Sequence, residues 1–171
     1  MRPALVPELI CSDFEKSLDF YTRLLDFTVL YDRPEERFAY LERNGAELML
    51  EQPASCDRLF PKAELERPYG RGVNFQITVA DVTVLHQAFV AEKWDFYLPL
   101  EERWYRRKTE QTSVRQFAVQ DPDGYLIRLS QSLGRREIIE TPPFAVATKA
   151  SPGPSAARSQ DFLYGEDGLP E

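Results

Sequence analysis

The sequence predicts an α+β fold of two tandem βαβββ modules whose sheets enclose a cleft. Three observations predict it. An apolar run at residues 5–11 leads directly into the amphipathic stretch Asp13-Phe14-Glu15-Lys16-Ser17-Leu18, and the same order returns at residues 73–79 with Asp81-Val82-Thr83-Val84-Leu85. The hairpin signal Asn44-Gly45 before Ala46-Glu47-Leu48-Met49-Leu50 returns as Asp123-Gly124 before Tyr125-Leu126-Ile127-Arg128-Leu129. Between the copies lies a stretch at 53–72 rich in Pro, Gly and charge. A duplicated unit matters because two copies can face each other and enclose a cavity.

The elements follow in order. A first strand is expected at residues 5–11, and Pro7 makes it an edge or irregular strand because proline donates no ladder hydrogen bond. Ser12-x-x-Glu15 matches a capping box, with Asp13 as the alternative cap. Phe14, Leu18, Tyr21 and Leu25 recur at helical spacing, so a helix should run to about Leu25. Strands are expected at 28–32, 38–42 and 47–51, the last two joined at Asn44-Gly45, where positive φ costs little.

The second copy repeats this order. Residues 73–79 form its first strand, Asp81 caps its helix, and Val82, Leu85 and Phe89 mark the buried stripe. Strands should follow near 95–98, 115–120 and 125–130, with Asp121-Pro122-Asp123-Gly124 as a turn. Extra residues fall between Pro99 and Ser113. They include the charged and aromatic run Glu101-Glu102-Arg103-Trp104-Tyr105-Arg106-Arg107-Lys108, which would make a long hairpin or a lid. The modules are thus expected at 1–52 and 73–134, joined by a linker at 53–72. Residues 135–171, rich in Pro, Ala, Ser and Gly, have the composition of a tail. Ile138, Ile139, Phe144, Val146, Phe162 and Leu163 are its available anchors.

Composition narrows the function. At 171 residues, 43% hydrophobic and 29% charged, the chain is long enough for a real core and reads as an ordinary soluble protein. A net charge of −7 disfavours nucleic acid, because phosphate neutralisation needs a basic face. The same charge favours cationic ligands in a cleft. No run approaches the roughly 20 apolar residues of a membrane span. Cys11 and Cys56 make no disulfide framework or zinc spacing, and no secretory segment precedes the first module, so a cytoplasmic location is expected.

The segment Ile10-Cys11-Ser12-Asp13-Phe14-Glu15-Lys16-Ser17-Leu18-Asp19-Phe20-Tyr21, followed by Leu24-Leu25-Asp26-Phe27, resembles the first-helix signature of the glyoxalase / bleomycin-resistance / extradiol dioxygenase (vicinal oxygen chelate) superfamily. Phe117-Ala118-Val119-Gln120-Asp121-Pro122-Asp123-Gly124-Tyr125 resembles its last hairpin. The resemblance covers about residues 4–133. Asp26 departs from it, standing where the family usually has the glycine of a left-handed helix end. The resemblance implies curved, mixed β-sheets around a cleft. Enzymes of the family hold a divalent metal there with four ligands, usually His, Glu or Gln, from the first and last strands of each module.

Carried over by position, those four places fall on Val6, Met49, Asn74 and Arg128. The duplication supports the mapping: Val6 and Asn74 stand as far apart as Asp13 and Asp81, and Met49 and Arg128 as far apart as Gly45 and Gly124. The quartet is no ordinary metal site. Valine has no donor atom, a thioether is a poor ligand for hard cations, and guanidinium has no lone pair to give. The sole histidine, His86, falls on the second helix as a surface or packing residue.

Side chains two apart share a strand face. If the quartet faces the cleft, so do Glu8, Ile10, Glu47, Glu51, Gln76, Thr78, Leu126 and Ser130. The other face then carries Leu5, Leu9, Cys11, Leu48, Leu50, Phe75, Ile77, Val79, Ile127 and Leu129, as a face packed under helices should. The expected ligand-binding set is Glu8, Glu47, Met49, Glu51, Asn74, Gln76 and Arg128, with Trp104 from the aromatic group Phe96, Tyr97, Trp104 and Tyr105 as a stacking platform. A rival metal site would use Glu8, Glu47 or Glu51 with Gln76, a set suited to Mg or Mn.

The resemblance is closest in character to the metal-free bleomycin-resistance branch, whose acidic homodimers sequester a cationic glycopeptide antibiotic in clefts at the dimer interface. It implies a homodimer that binds a small molecule, possibly a cationic antibiotic, with no metal and no cofactor. The family's tryptophan before the last hairpin falls near Ser113, leaving Trp104 as its only substitute. The alternative function is a metal-dependent enzyme of the glyoxalase or dioxygenase type with relocated ligands. A third is a structural module whose cleft is plugged by side chains or by the tail.

Overall fold

Alternation along the strands decides which face of each sheet is buried. The computed structural model describes residues 3–53 and 65–138. The first module holds β1 (Glu8–Ile10), α1 (Phe14–Asp19), β2 (Thr28–Arg33), β3 (Phe38–Arg43) and β4 (Ala46–Glu51). The second holds β5 (Asn74–Thr78), α2 (Val82–Ala91), β6 (Phe96–Arg107), β7 (Glu110–Gln120) and β8 (Leu126–Glu137). The sheets run β1-β4-β3-β2 and β5-β8-β7-β6, with the first strand of each module parallel to its last and the other pairs antiparallel. This is the duplicated βαβββ order that the sequence predicts.

Details differ from expectation for local reasons. β1 is a three-residue edge strand, shorter than the apolar run around it, with Pro7 just outside. The Pro7 carbonyl still accepts from the Met49 amide at 2.8 Å. Asp13, not Ser12, caps α1 by accepting from the Lys16 amide at 3.2 Å. Ser12 is not a capping-box residue because its own amide and hydroxyl bond Asp123. α1 gives way at Phe20–Leu24 to a π-helical turn, and the chain leaves it at Asp26 with φ 58°, the left-handed geometry usually given to glycine. Asp81 caps α2 as expected, accepting from the Thr83 amide at 2.8 Å.

The extra residues of the second module form a long hairpin rather than a lid. β6 and β7 pair from Glu101–Gln116 out to Arg107–Glu110. β8 follows them past Gly134 to Glu137, beyond the expected boundary at 134, with a register shift opposite Ser113 and Val114.

Leu9, Leu48 and Leu50 of the first sheet and Ile77, Ile127 and Leu129 of the second are buried in one continuous core. Both helices enter it. Phe20 packs edge-on to Phe89 at 5.7 Å and tilts against Trp94 at 5.1 Å. Such ring pairs add about 0.5–1.5 kcal/mol each beyond their area. His86 is a packing residue, 4.7 Å from the Phe96 ring and 5.4 Å from Phe117.

No helix among the described residues is long and apolar enough to cross a membrane. Residues 54–64, with Cys56, and residues 139–171, with Ile139, Phe144, Val146, Phe162 and Leu163, lie outside the described residues, so most of the expected tail and part of the linker do too.

Candidate functional site

Because the apolar faces meet in the core, the polar faces of both sheets turn away from it. On the first sheet, pairing sets Glu8, Met49, Tyr40 and Tyr31 in one row across the strands, and Ile10, Glu51, Phe38 and Arg33 in the next. Tyr31 stacks on Tyr40 at 5.0 Å and 19°. The Tyr40 hydroxyl donates to the Glu47 carboxylate. The Arg33 guanidinium lies 3.7 Å over the Phe38 ring. Phe38 and Tyr40 are buried under these partners, so the ring this face presents is Tyr31, 42% exposed, with the carboxylates of Glu47 and Glu51 on the same face, an arrangement that suits a planar or cationic group. Tyr31, Phe38 and Tyr40 were not among the expected site residues.

On the second sheet, the rows are Asn74-Leu126-Gln120, Gln76-Arg128-Ala118 and Thr78-Ser130-Gln116. Gln116 is buried, and its amide nitrogen donates to Glu101 at 2.7 Å and to the Tyr105 hydroxyl at 2.6 Å. Arg128 is half-buried between Gln76 and Ala118, and its Nε is buried without a hydrogen-bond partner among the described residues.

The expected site residues thus fall into two sets. Glu8, Glu47, Met49 and Glu51 share the first face, and Asn74, Gln76 and Arg128 the second. Glu47 and Gln76 also reach a common cavity of about 210 Å³ between the modules, otherwise lined by Leu9, Leu48, Phe75 and Ile77 among others. Trp104 joins neither set. It pairs with Ser113, on the face of β7 that also carries Phe117, and packs against Arg136 at 4.0 Å. Its neighbour Tyr105 takes the polar face instead, because adjacent strand residues point to opposite sides.

The four positions where the family places its metal do not fit a divalent cation. Val6 lies just before β1 and offers hydrocarbon, Met49 a thioether, Asn74 a single neutral amide, and Arg128 a permanent positive charge. The rival carboxylate site does not assemble either. Glu47 is bonded to Tyr40, and among the described residues no three His, Cys, Asp or Glu side chains group closely enough to hold an ion.

A second polar cluster joins the modules. Asp123, almost fully buried, accepts from the Ser12 amide at 3.0 Å, the Ser12 hydroxyl at 2.7 Å, the Ser17 hydroxyl at 3.4 Å and Arg67 at 2.8 Å. Asp121 accepts from the Tyr21 hydroxyl at 3.0 Å and from the amides of Asp123 and Tyr125 at 3.0 and 2.8 Å. Burial pushes the Asp121 carboxyl up to about 6 against the pull of these hydrogen bonds. Burial first, then the Asp123 charge, pushes the Cys11 thiol up to about 12, which removes it as a nucleophile. Sequence reasoning missed this cluster, apart from naming its residues as a cap and a turn.

The sequence profile of the Glyoxalase/Bleomycin resistance protein/Dioxygenase superfamily matches residues 5–129. A superfamily member from Vibrio splendidus 12B01 is 40% identical over 75% of this chain and 97% of its own, with a TM-score of 0.34. TioX from Micromonospora sp. ML1 is 22% identical over 75% of this chain and 95% of its own, with a TM-score of 0.53. A virulence protein from Salmonella typhimurium is 17% identical over 77% and 97%, with a TM-score of 0.54. No curated protein matches the chain. The profile match and the 40% identity agree with the duplicated βαβββ architecture, and the chain belongs to the glyoxalase/bleomycin resistance protein/dioxygenase superfamily.

Proposed function

We propose that the protein binds a small molecule and sequesters it without a metal and without chemistry, in the manner of the bleomycin-resistance branch. The ligand carries a flat, cationic group, as a cationic antibiotic does, and the protein acts as a cytoplasmic homodimer. One observation carries this reading: the four family metal positions hold Val6, Met49, Asn74 and Arg128, which cannot chelate a divalent ion. The exposed ring of Tyr31, backed by Tyr40 and on the same face as Glu47 and Glu51, supports it, since the face offers stacking and countercharge together. The outward turn of both polar faces supports a second copy as the wall that completes the cleft.

Thermal shift with cationic antibiotics, run with and without chelator, tests the proposal. A ligand at 100 times its Kd adds about 2.7 kcal/mol to the folded state. The expected result is a melting temperature raised equally in both conditions. A rise that chelator abolishes would point to a metal-dependent enzyme of the same superfamily instead.

A further inference from the structure

The second polar face has a feature that cation binding does not use. Arg128 sits in the middle strand of a row with Gln76 on one side and Ala118 on the other. Along its own strand, its same-face neighbours are Leu126 and Ser130. None of these can balance a positive charge. The carboxylate across this face, Glu101, holds the Gln116 amide at 2.7 Å. The residue is half-buried, and its Nε is buried with no partner among the described residues. An N–H placed so loses its water without compensation, and an acceptor arriving at this edge of the guanidinium restores the bond. Ala118, the partner of Arg128 on β7, is a small residue, and Gln76, its partner on β5, carries an amide that can serve as a further donor.

We propose that Arg128 receives a carboxylate carried by the ligand, with Gln76 as its second donor. The planar guanidinium fork matches a carboxylate edge to edge with two parallel hydrogen bonds. The inference rests on the small-molecule reading above and makes its ligand two-ended: a flat cationic part for the Tyr31 face of one copy and a carboxylate for Arg128 of the other, since the two polar faces of one chain turn away from their shared core.

Calorimetric titration of the full-length protein with benzoate, benzyl alcohol and benzylamine tests it, because the three probes share a ring and differ in charge. Benzoate should bind at least about 10-fold tighter than benzyl alcohol, as two charge-assisted hydrogen bonds warrant. Arg128→Gln should erase that preference, and Arg128→Lys, which keeps the charge without the fork, should retain part of it. The Gln variant should melt no lower than the parent without ligand, since it loses no ion pair; if it unfolds, the Lys variant carries the comparison. Equal binding of benzoate and benzyl alcohol would overturn the proposal, as would a preference that survives Arg128→Gln. Sedimentation showing that Arg128→Gln weakens self-association while benzoate binding is unchanged would also overturn it, by assigning the charge to a second copy's carboxylate. If antibiotics bind and benzoate does not, only this inference falls; if no antibiotic and no ring compound binds, sequestration falls and takes it along.

Discussion

Tyr21, from the π-helical turn of the first module, donates its hydroxyl to Asp121 of the second across 3.0 Å, and both side chains are buried. The bond links the modules through a site that water does not reach. Tyr21→Phe keeps the ring contacts with Phe20 and Phe27 but leaves one Asp121 oxygen without its donor. An unpaired buried acceptor costs about 1–3 kcal/mol. Urea denaturation should show that loss with an unchanged slope, because the same surface is exposed on unfolding.

Asp121 also makes stability depend on pH. Its carboxyl rises from 3.8 to about 6 in the fold because burial disfavours the charge. The folded state therefore holds the proton more tightly than the unfolded chain. The corresponding stabilisation is fully present below pH 4, is lost as pH rises to about 6, and is flat above that. The full effect is about 3 kcal/mol, at about 1.4 kcal/mol for each pH unit between the two values. Asp121→Asn should remove this slope between pH 4 and 6.5, leaving a flatter curve than the parent in parallel denaturation series. Parallel curves for parent and variant would mean that Asp121 stays ionised in the fold.

Two turn glycines separate backbone strain from crowding. Gly45 and Gly124 both have positive φ, 87° and 92°. A Cβ at Gly45 would meet nothing within 4 Å, whereas at Gly124 it would lie 2.4 Å from the Pro68 Cβ and 2.6 Å from its Cα. Gly45→Ala should cost about 1 kcal/mol from the left-handed backbone alone. Gly124→Ala should cost clearly more, because backbone must move as well. Thermal melts of the two variants side by side check the order.

Trp104 and Tyr105 are neighbours on opposite faces of β6. Tyr105, held to Gln116 at 2.6 Å, stands on the face with Arg128, and Trp104 does not. Trp104→Ala should leave small-molecule affinity within about twofold. Tyr105→Ala should weaken it by about 10-fold, the worth of one lost ring contact with its hydrogen bond. Titration with whichever antibiotic gives the largest thermal shift distinguishes them.

Much of the fold was legible because alternation is a local rule. Leu48, Leu50, Ile77, Ile127 and Leu129 follow it into the core, and Asn44-Gly45 forms the tight turn that fixes β3 against β4. That same register sets Tyr40 opposite Met49, so the aromatic face was implied by the turn, though only the pairing of β2 with β3 brings Tyr31 onto it. The cluster at Asp121 and Asp123 was not legible. Ser12-x-x-Glu15 reads locally as a capping box, and nothing near Ser12 in the chain announces a partner as distant as Asp123. The face that Trp104 takes was not legible for a related reason: which of two adjacent aromatics faces Gln116 depends on the hairpin register, not on their composition.

The central claim is that the family's metal positions hold side chains unable to chelate. Equilibrium dialysis of the full-length protein against Mn, Fe, Ni and Zn salts, with elemental analysis of the retained metal, tests it most directly. The account predicts retention far below one ion per chain, equal in the parent and in a variant with Met49 and Asn74 both changed to Ala. Stoichiometric retention that this double substitution abolishes would contradict it.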